Sequence, residues 1–378
     1  MNFDLNDEQR QLADSLSRLL ADHYGFERRR ALGRTGTGTD PETWTRLASL
    51  GVTALGIPET FGGLGGGAED RLPVMQALGR ALVIEPYLAS AVLATTAVRE
   101  AGTAAQKAAL LPGLADGTLR LAWAHDESAG RHAPLWVETT AHAGPDGWRL
   151  DGGKAGVLHG AEASRLVVTA RVRGEAEDED GLALFIVDPK DDGVAMRAYR
   201  LLDDTAAADV SLHHARAEPL GDPAGTACAA SAIRAVAAAG IAAACADVVG
   251  AMEAALALTT DYVRTRRQFG RPIGDYQAMR HRIADMCVSV ELARSMAVAA
   301  ALASDEPGHE DAATELSRAK VVIGTHARSV CHAAIQAHGG IGMTEEYAVA
   351  HCLRRIHVME QLFGDGEAHV RRLAETLP

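Results

Sequence analysis

Leu12, Leu16, Leu19 and Leu20 recur three and four positions apart, which places them on one face of a helix. Asn6 with Gln9 three residues later marks its start, because such a pair can cap reciprocally. Trp44, Leu47 and Leu50 predict a second, short helix ended by Gly51, with a flexible link over residues 34–40 before it. Residues 57–65, Ile-Pro-Glu-Thr-Phe-Gly-Gly-Leu-Gly, read as a structural turn rather than a phosphate loop. The glycines tolerate positive φ, and neither a preceding strand nor a Lys-Ser/Thr ending is present. Helical spacing resumes from Leu72 to about Leu114, so residues 1–118 are expected to form a helical domain.

The pattern shortens over residues 119–222. β-Rich runs occupy 121–124, 135–140, 148–150, 166–170, 182–187 and 210–212. Gly144-Pro145-Asp146-Gly147, Asp151-Gly152-Gly153 and Asp188-Pro189 are turn signals between them, and the acidic run 175–180 suits a solvated hairpin loop. A small antiparallel β-domain is the expected result. From Ala227 onward the chain is helical again, with an alanine-rich stretch at 227–264 and helices near 276–303, 310–334, 345–357 and 366–375. Residues 223–378 therefore suggest a C-terminal four-helix bundle. The fold class is α+β, mostly α.

Composition narrows the function. Hydrophobic residues make up 47% and charged residues 23%, an ordinary globular balance. A net charge of −13 argues against nucleic acid or an anionic membrane surface as a general partner. Five scattered cysteines with no CxxC pair or zinc spacing point to reduced thiols and no metal site. The acidic start lacks signal-peptide features, and no apolar run approaches the roughly 18 residues expected of a membrane span. A soluble, cytoplasmic protein is expected.

One stretch carries candidate chemistry. Residues 266–277, Arg-Arg-Gln-Phe-Gly-Arg-Pro-Ile-Gly-Asp-Tyr-Gln, set three guanidiniums beside Gly270. They could grip a diphosphate bidentately. Equally, they could neutralise a helix C-terminus that Gly270 caps.

The ordered set of motifs resembles the acyl-CoA dehydrogenase family over nearly the whole chain. It comprises Ile57-Pro58-Glu59 with Phe61-Gly62-Gly63-Leu64-Gly65, Gln76-Ala77-Leu78-Gly79-Arg80, the run from Gly181 through Phe185 to Asp188, the 266–273 stretch, and the run from Ile335 through Gly339, Gly340 and Thr344 to Glu346. The resemblance implies FAD, an acyl-CoA thioester substrate and α,β-desaturation, in which a carboxylate removes the α-proton and flavin N5 accepts the β-hydrogen as hydride. It also implies a flavin at a subunit interface and an electron-transferring flavoprotein as usual electron acceptor. By the same resemblance, Arg266, Gln268, Phe269 and Gln277 match positions that contact a neighbouring subunit's FAD, and Gln336, Gly339 and Gly340 match the loop beside its adenosine diphosphate.

The half that would hold the chain's own flavin departs from the family pattern. His125 and Arg131 replace a threonine and a serine, Gly156 replaces the stacking aromatic, and Leu158 replaces a hydroxyl donor. The family's catalytic glutamate position falls on Gly364. A subset of relatives places it on the first long C-terminal helix, where this chain has Gly240 and Ile241. Asp365 and Glu367 lie close by as displaced bases, or alternatively cap and charge the start of the last helix. Three readings stay open. The chain is a base-lacking subunit that completes a partner's FAD site in a heterotetramer, a homo-oligomeric dehydrogenase with a displaced base, or a non-catalytic scaffold.

Overall fold

The structure, a computed structural model, describes residues 5–34, 39–223 and 226–376. Part of the expected 34–40 link therefore lies outside the described residues. Helices α1 (Asp7–His23), α2 (Phe26–Arg34), α3 (Pro41–Ser49) and α4 (Ala68–Arg80) open the chain. A π-helical segment, Tyr87–Ala94, leads into α5 (Thr95–Ala101) and α6 (Ala104–Ala115). Strands β1 (Leu121–Ala124), β2 (Thr140–Gly144), β3 (Gly147–Leu158), β4 (Arg165–Arg171), β5 (Leu182–Val187), β6 (Val194–Arg200) and β7 (Ala206–Leu220) follow. After α7 (Thr226–Thr265) come the two-residue strands β8 (Arg267–Gln268) and β9 (Arg271–Pro272). Then come α8 (Gln277–Asp305), α9 (Ala312–His338), α10 (Ala348–Gln361) and α11 (Gly366–Glu375). Two compact units result: the described parts of 1–31, 68–83 and 241–378 in one, and of 32–67 and 84–240 in the other.

In the first unit α1 starts at the capping box that the sequence predicts. The Asn6 side chain accepts from Gln9 N at 2.8 Å and the Gln9 side chain accepts from Asn6 N at 2.9 Å. The C-terminal part of α7 lies against α4 at a crossing that only small residues allow. A Cβ at Gly79 would sit 2.0 Å from Asp247 O, and one at Gly250 would sit 2.0 Å from Gln76 O. Asp247 is fully buried and takes a bidentate pair from Arg355 on α10 at 2.8 and 2.7 Å. Such a pair fixes α10 in rotation, because both charges lose their compensation if either moves. α9 packs against α8, α10 and α11 to complete the bundle.

By mean hydropathy α7 and α8 are both long and apolar enough to cross a membrane, which corrects the expectation that no stretch qualifies. The qualifying window of α7 is 94% buried, as a core helix of a bundle is, and that of α8 is 33% buried. Single charged residues such as Arg234, Asp247 and Glu253 interrupt the apolar runs of α7 while leaving the average high.

The second unit is built on the sheet. β2 and β3 form a hairpin through the predicted 144–147 turn. β3 pairs with β7, β7 with β5, β5 with β4, and β4 touches β2 at Thr140 and Arg171, so the pairings close into a circuit with β1 and β6 outside it. The expected antiparallel domain is corrected to a mixed sheet, because β1 runs parallel to β4 and β2 meets β4 in parallel. That pairing joins segments separated by a whole hairpin, which a local pattern cannot reveal. Leu150, Leu166, Val168, Phe185 and Leu212 fill its interior.

Three local expectations change here. Residues 135–139 are not strand, because Glu127 takes the Glu138 and Thr139 N–H groups that a ladder would use. Asp151-Gly152-Gly153 is a bulge inside β3, where Gly152 at φ 147° passes 2.7 Å from Thr139 Cα by its missing Cβ. β6, an edge strand with mixed burial, carried no apolar run to betray it. The 175–180 loop is as predicted, and Arg171 organises it by donating to the carbonyls of Ala176, Asp178 and Asp180. The 57–65 turn is structural too. Its N–H groups at Gly62, Gly63, Leu64 and Gly65 all donate to carbonyls within residues 54–59, so those four are not presented to a phosphate.

Candidate functional site

Residues 266–276 leave α7 as a hairpin. β8 and β9 pair antiparallel, and Phe269 and Gly270 make the turn at φ 52° and 84°. Two consecutive positive φ values are the signature of a tight hairpin turn, and they explain the glycine. Gly270 therefore does not cap α7, which ends earlier at Thr265. The root of the hairpin is fixed. Arg266 N donates to Tyr262 O and Ile273 N to Arg266 O, both at 2.8 Å. A Cβ on Gly274 would lie 3.0 Å from Val263 O. The tip projects outward, with Phe269 90% exposed. Arg271 stacks over the Tyr276 ring at 4.1 Å and Arg267 reaches back to Gly270 O, whereas Arg266, Gln268 and Gln277 present exposed side chains.

The second candidate segment lies at the same end of the bundle. Gln336 is exposed on the last turn of α9, which Gly339 ends at φ 65° with its N–H donated to Ile335 O. Nothing lies within 4 Å of a Cβ built on Gly339 or Gly340, so a ligand's backbone-hugging approach is open there. The Tyr262 ring stacks on His338 at 4.3 Å, which brings the hairpin root and this turn together. Sequence reasoning missed that stack. The available clue was spacing: Tyr262 stands one helical turn before Arg266 and His338 two residues after Gln336. Exposed donors, an exposed aromatic and bare backbone fit an adenosine diphosphate and its flavin.

The positions that the resemblance assigns to the chain's own flavin carry other groups than the family pattern. His125 is buried, and its Nε2 donates to Pro134 O at 2.9 Å because a carbonyl can only accept. Nδ1, 3.0 Å from Thr169 Oγ1, is then the acceptor of the Thr169 hydroxyl. Burial holds this imidazole below its usual pKa, which keeps it neutral and in that tautomer. Lys154 Nζ donates to Thr169 Oγ1, to His125 O and to Glu127 at 2.9, 3.1 and 2.6 Å. Burial pushes the Glu127 carboxyl up, but Lys154 and the donors from Thr139 and Glu138 outweigh it, so its net direction is down. Both nitrogens of His125 are thus spent within the protein. Gly156 offers no ring and donates its N–H to Asp209, and Leu158 is apolar and buried. Arg131 stands at φ 42° on an exposed turn.

The loop to which the sequence resemblance assigns the base position, residues 363–365, is held tightly, and Gly364 brings no carboxylate there. Phe363 and Gly364 both take positive φ, 61° and 101°, and a Cβ on Gly364 would lie 3.2 Å from His369 Nε2. His369 is fully buried, donates from Nε2 to Phe363 O at 3.2 Å and accepts from Ser317 at Nδ1. Burial, with Arg372 and Lys320 nearby, brings its pKa down to about 4. Lys320 Nζ donates to Met359 O, Glu360 O and Leu362 O at 2.9, 3.0 and 2.8 Å. Asp365 caps α11 by accepting from Ala368 N at 2.8 Å, and Glu367 is exposed in the first turn of that helix. Gly240 and Ile241 lie buried within α7.

Residues 6–118 match the acyl-CoA dehydrogenase N-terminal domain and residues 230–377 the acyl-CoA dehydrogenase C-terminal domain. Acyl-CoA dehydrogenase IpdE2 of Mycobacterium tuberculosis is 31% identical over 370 residues, covering 97% of this chain and 96% of its own. Acyl-CoA dehydrogenase FadE27 of the same organism is 29% identical, covering 93% and 92%. A solved variant of the Tcur3481-Tcur3483 steroid acyl-CoA dehydrogenase superposes with a TM-score of 0.86 at 29% identity, covering 98% of this chain and 97% of the other.

Proposed function

Because the chain belongs to the acyl-CoA dehydrogenase family, flavin-dependent oxidoreductases that act on CH–CH bonds with FAD as cofactor, we propose that it is the base-lacking subunit of a two-chain enzyme. Bound FAD would supply the hydride acceptor for the β-carbon of an acyl-CoA thioester, with a carboxylate needed for the α-proton. In this reading the partner chain supplies that carboxylate and the flavin's own cradle. This chain contributes the guanidinium of Arg266, the Gln268 and Gln277 amides, the Phe269 ring, and the Gln336 side chain with the bare backbone of Gly339 and Gly340.

The carrying observation is the loop at Gly364. Its backbone is confined to a left-handed conformation against a fully buried His369, where a glutamate side chain is disfavoured. Support comes from the spent hydrogen bonds of His125 and from the exposed apolar groups Phe269 and Met343, 90% and 73% exposed, beside the donors. A solved relative that carries two chain names is consistent with pairing. The substrate class is an acyl-CoA thioester of lipid or steroid degradation, the compartment is the cytoplasm, and the electron acceptor is an electron-transferring flavoprotein.

Flavin quantification tests the reading. Expressed alone, the chain is expected to purify with little FAD; co-expressed with its partner, with one FAD per heterodimer. A lone chain carrying a full complement of FAD, bleached by acyl-CoA, refutes the proposal and supports a homo-oligomer. In that case Glu367 is the better displaced base, since the Asp365 carboxylate is engaged at the helix cap.

A further inference from the structure

We propose that Tyr262, His338 and Tyr347 form a positioning clamp that presets the hairpin and the Gln336–Gly340 turn as one ligand platform. The inference rests on the two-chain reading above and adds residues that touch no ligand in it. Tyr262 has two attachments. Its carbonyl accepts the Arg266 N–H at 2.8 Å, which anchors the root of the hairpin. Its ring stacks on His338 at 4.3 Å and 29°, and its hydroxyl donates to His338 O at 3.4 Å.

His338 is held from the other side. Nδ1 donates to Ala334 O at 2.8 Å, so Nε2 is the acceptor of the Tyr347 hydroxyl at 3.3 Å. The Tyr347 ring lies 4.9 Å from the imidazole, and Tyr347 sits at the N-cap of α10. A Cβ on Gly342 would fall 2.9 Å from His338 Cβ, so the turn closes tightly over the same residue. Three rings from the end of α7, the end of α9 and the start of α10 thus meet between two segments that are themselves exposed. Stacked aromatics suit this task, since they fix both separation and orientation and leave few alternative packings. A ligand that must be met by both segments at once then finds them already placed, rather than losing affinity to order them.

The test uses the co-expressed complex and FAD as probe. Tyr262→Leu keeps the backbone anchor and removes the ring, and is expected to weaken FAD retention roughly fivefold to tenfold at an unchanged melting temperature. Tyr262→Phe, which keeps the ring, is expected to retain FAD like the wild type. Tyr347→Leu provides an independent second variant with the same expectation should Tyr262→Leu fail to fold. Wild-type FAD retention in the folded leucine variants, with loss in Arg266→Ala, overturns the clamp and leaves the two-chain reading standing. Wild-type retention in Arg266→Ala as well overturns that reading itself. A leucine variant whose FAD loss only parallels a fall in melting temperature, with no rescue by Tyr262→Phe, also overturns the clamp.

Discussion

Gly364→Glu places a carboxylate at the residue that the sequence resemblance assigns to the base, and the proposed two-chain reading predicts that it does not create a working site. Gly364 has φ 101°, and any L-residue forced into left-handed space loses about 1–2 kcal/mol. The new Cβ would lie 3.2 Å from His369 Nε2, the atom that donates to Phe363 O. Displacing that donor leaves a partly buried carbonyl unpaired, a further cost of up to about 1–3 kcal/mol. The sum, roughly 2–5 kcal/mol, is a large part of a typical domain's stability. Chemical denaturation of the lone chain measures it, and anaerobic mixing with acyl-CoA and FAD reads out any turnover as loss of flavin colour. A variant as stable as the wild type that turns over alone would refute the reasoning on both counts. A stable but inactive variant would refute only the steric part.

Arg266→Ala is expected to lower the FAD content of the two-chain complex while the thermal unfolding of this chain stays unchanged, because its side chain is exposed at the hairpin root; normal flavin in the purified complex would contradict this. Gly79→Ala is expected to destabilise the chain by about 1–3 kcal/mol or more in urea, since its Cβ would lie 2.0 Å from Asp247 O. Glu85, buried and accepting Asp40 N–H with both oxygens, has its pKa raised to about 8 by burial. A folded-state pKa above the unfolded one makes its contribution complete below pH 4.5 and lost as pH rises through about 8. Glu85→Gln, which keeps an acceptor, is therefore expected to flatten the fall in stability between those limits, as a pH series of unfolding curves would show.

Periodicity revealed α1 and α3 because each buries one face, α7 was legible from its alanine content, and the capping box of Asn6 and Gln9 is a purely local device. The sheet was half legible. β5 follows its apolar run to the residue, whereas the parallel partnership of β1 and β4 and the edge strand β6 depend on contacts or exposure with no local pattern. The hairpin residues of the candidate site were legible through motif order, but the Tyr262–His338 stack was not, because it is set by how α7 and α9 end in space. The conformation at Gly364 was legible only as a missing glutamate. That its backbone excludes the glutamate depends on His369, a residue whose burial nothing in the surrounding pattern announces.

The crossing of α4 with α7 also orders events in time. Asp247 and Asp305 supply the partners of Gly79 and of the Ala68 N–H, the latter 237 residues further along the chain. During synthesis the α4 segment leaves the ribosome long before either exists. The part of α4 that meets α7 and α8 therefore waits uncovered while most of the protein is made, a vulnerable interval for a multi-part chain. The matched stretch 6–118, though continuous in sequence, is divided between the two compact units. A truncated product ending there is expected to be a substrate for chaperones and proteases rather than a miniature of the whole.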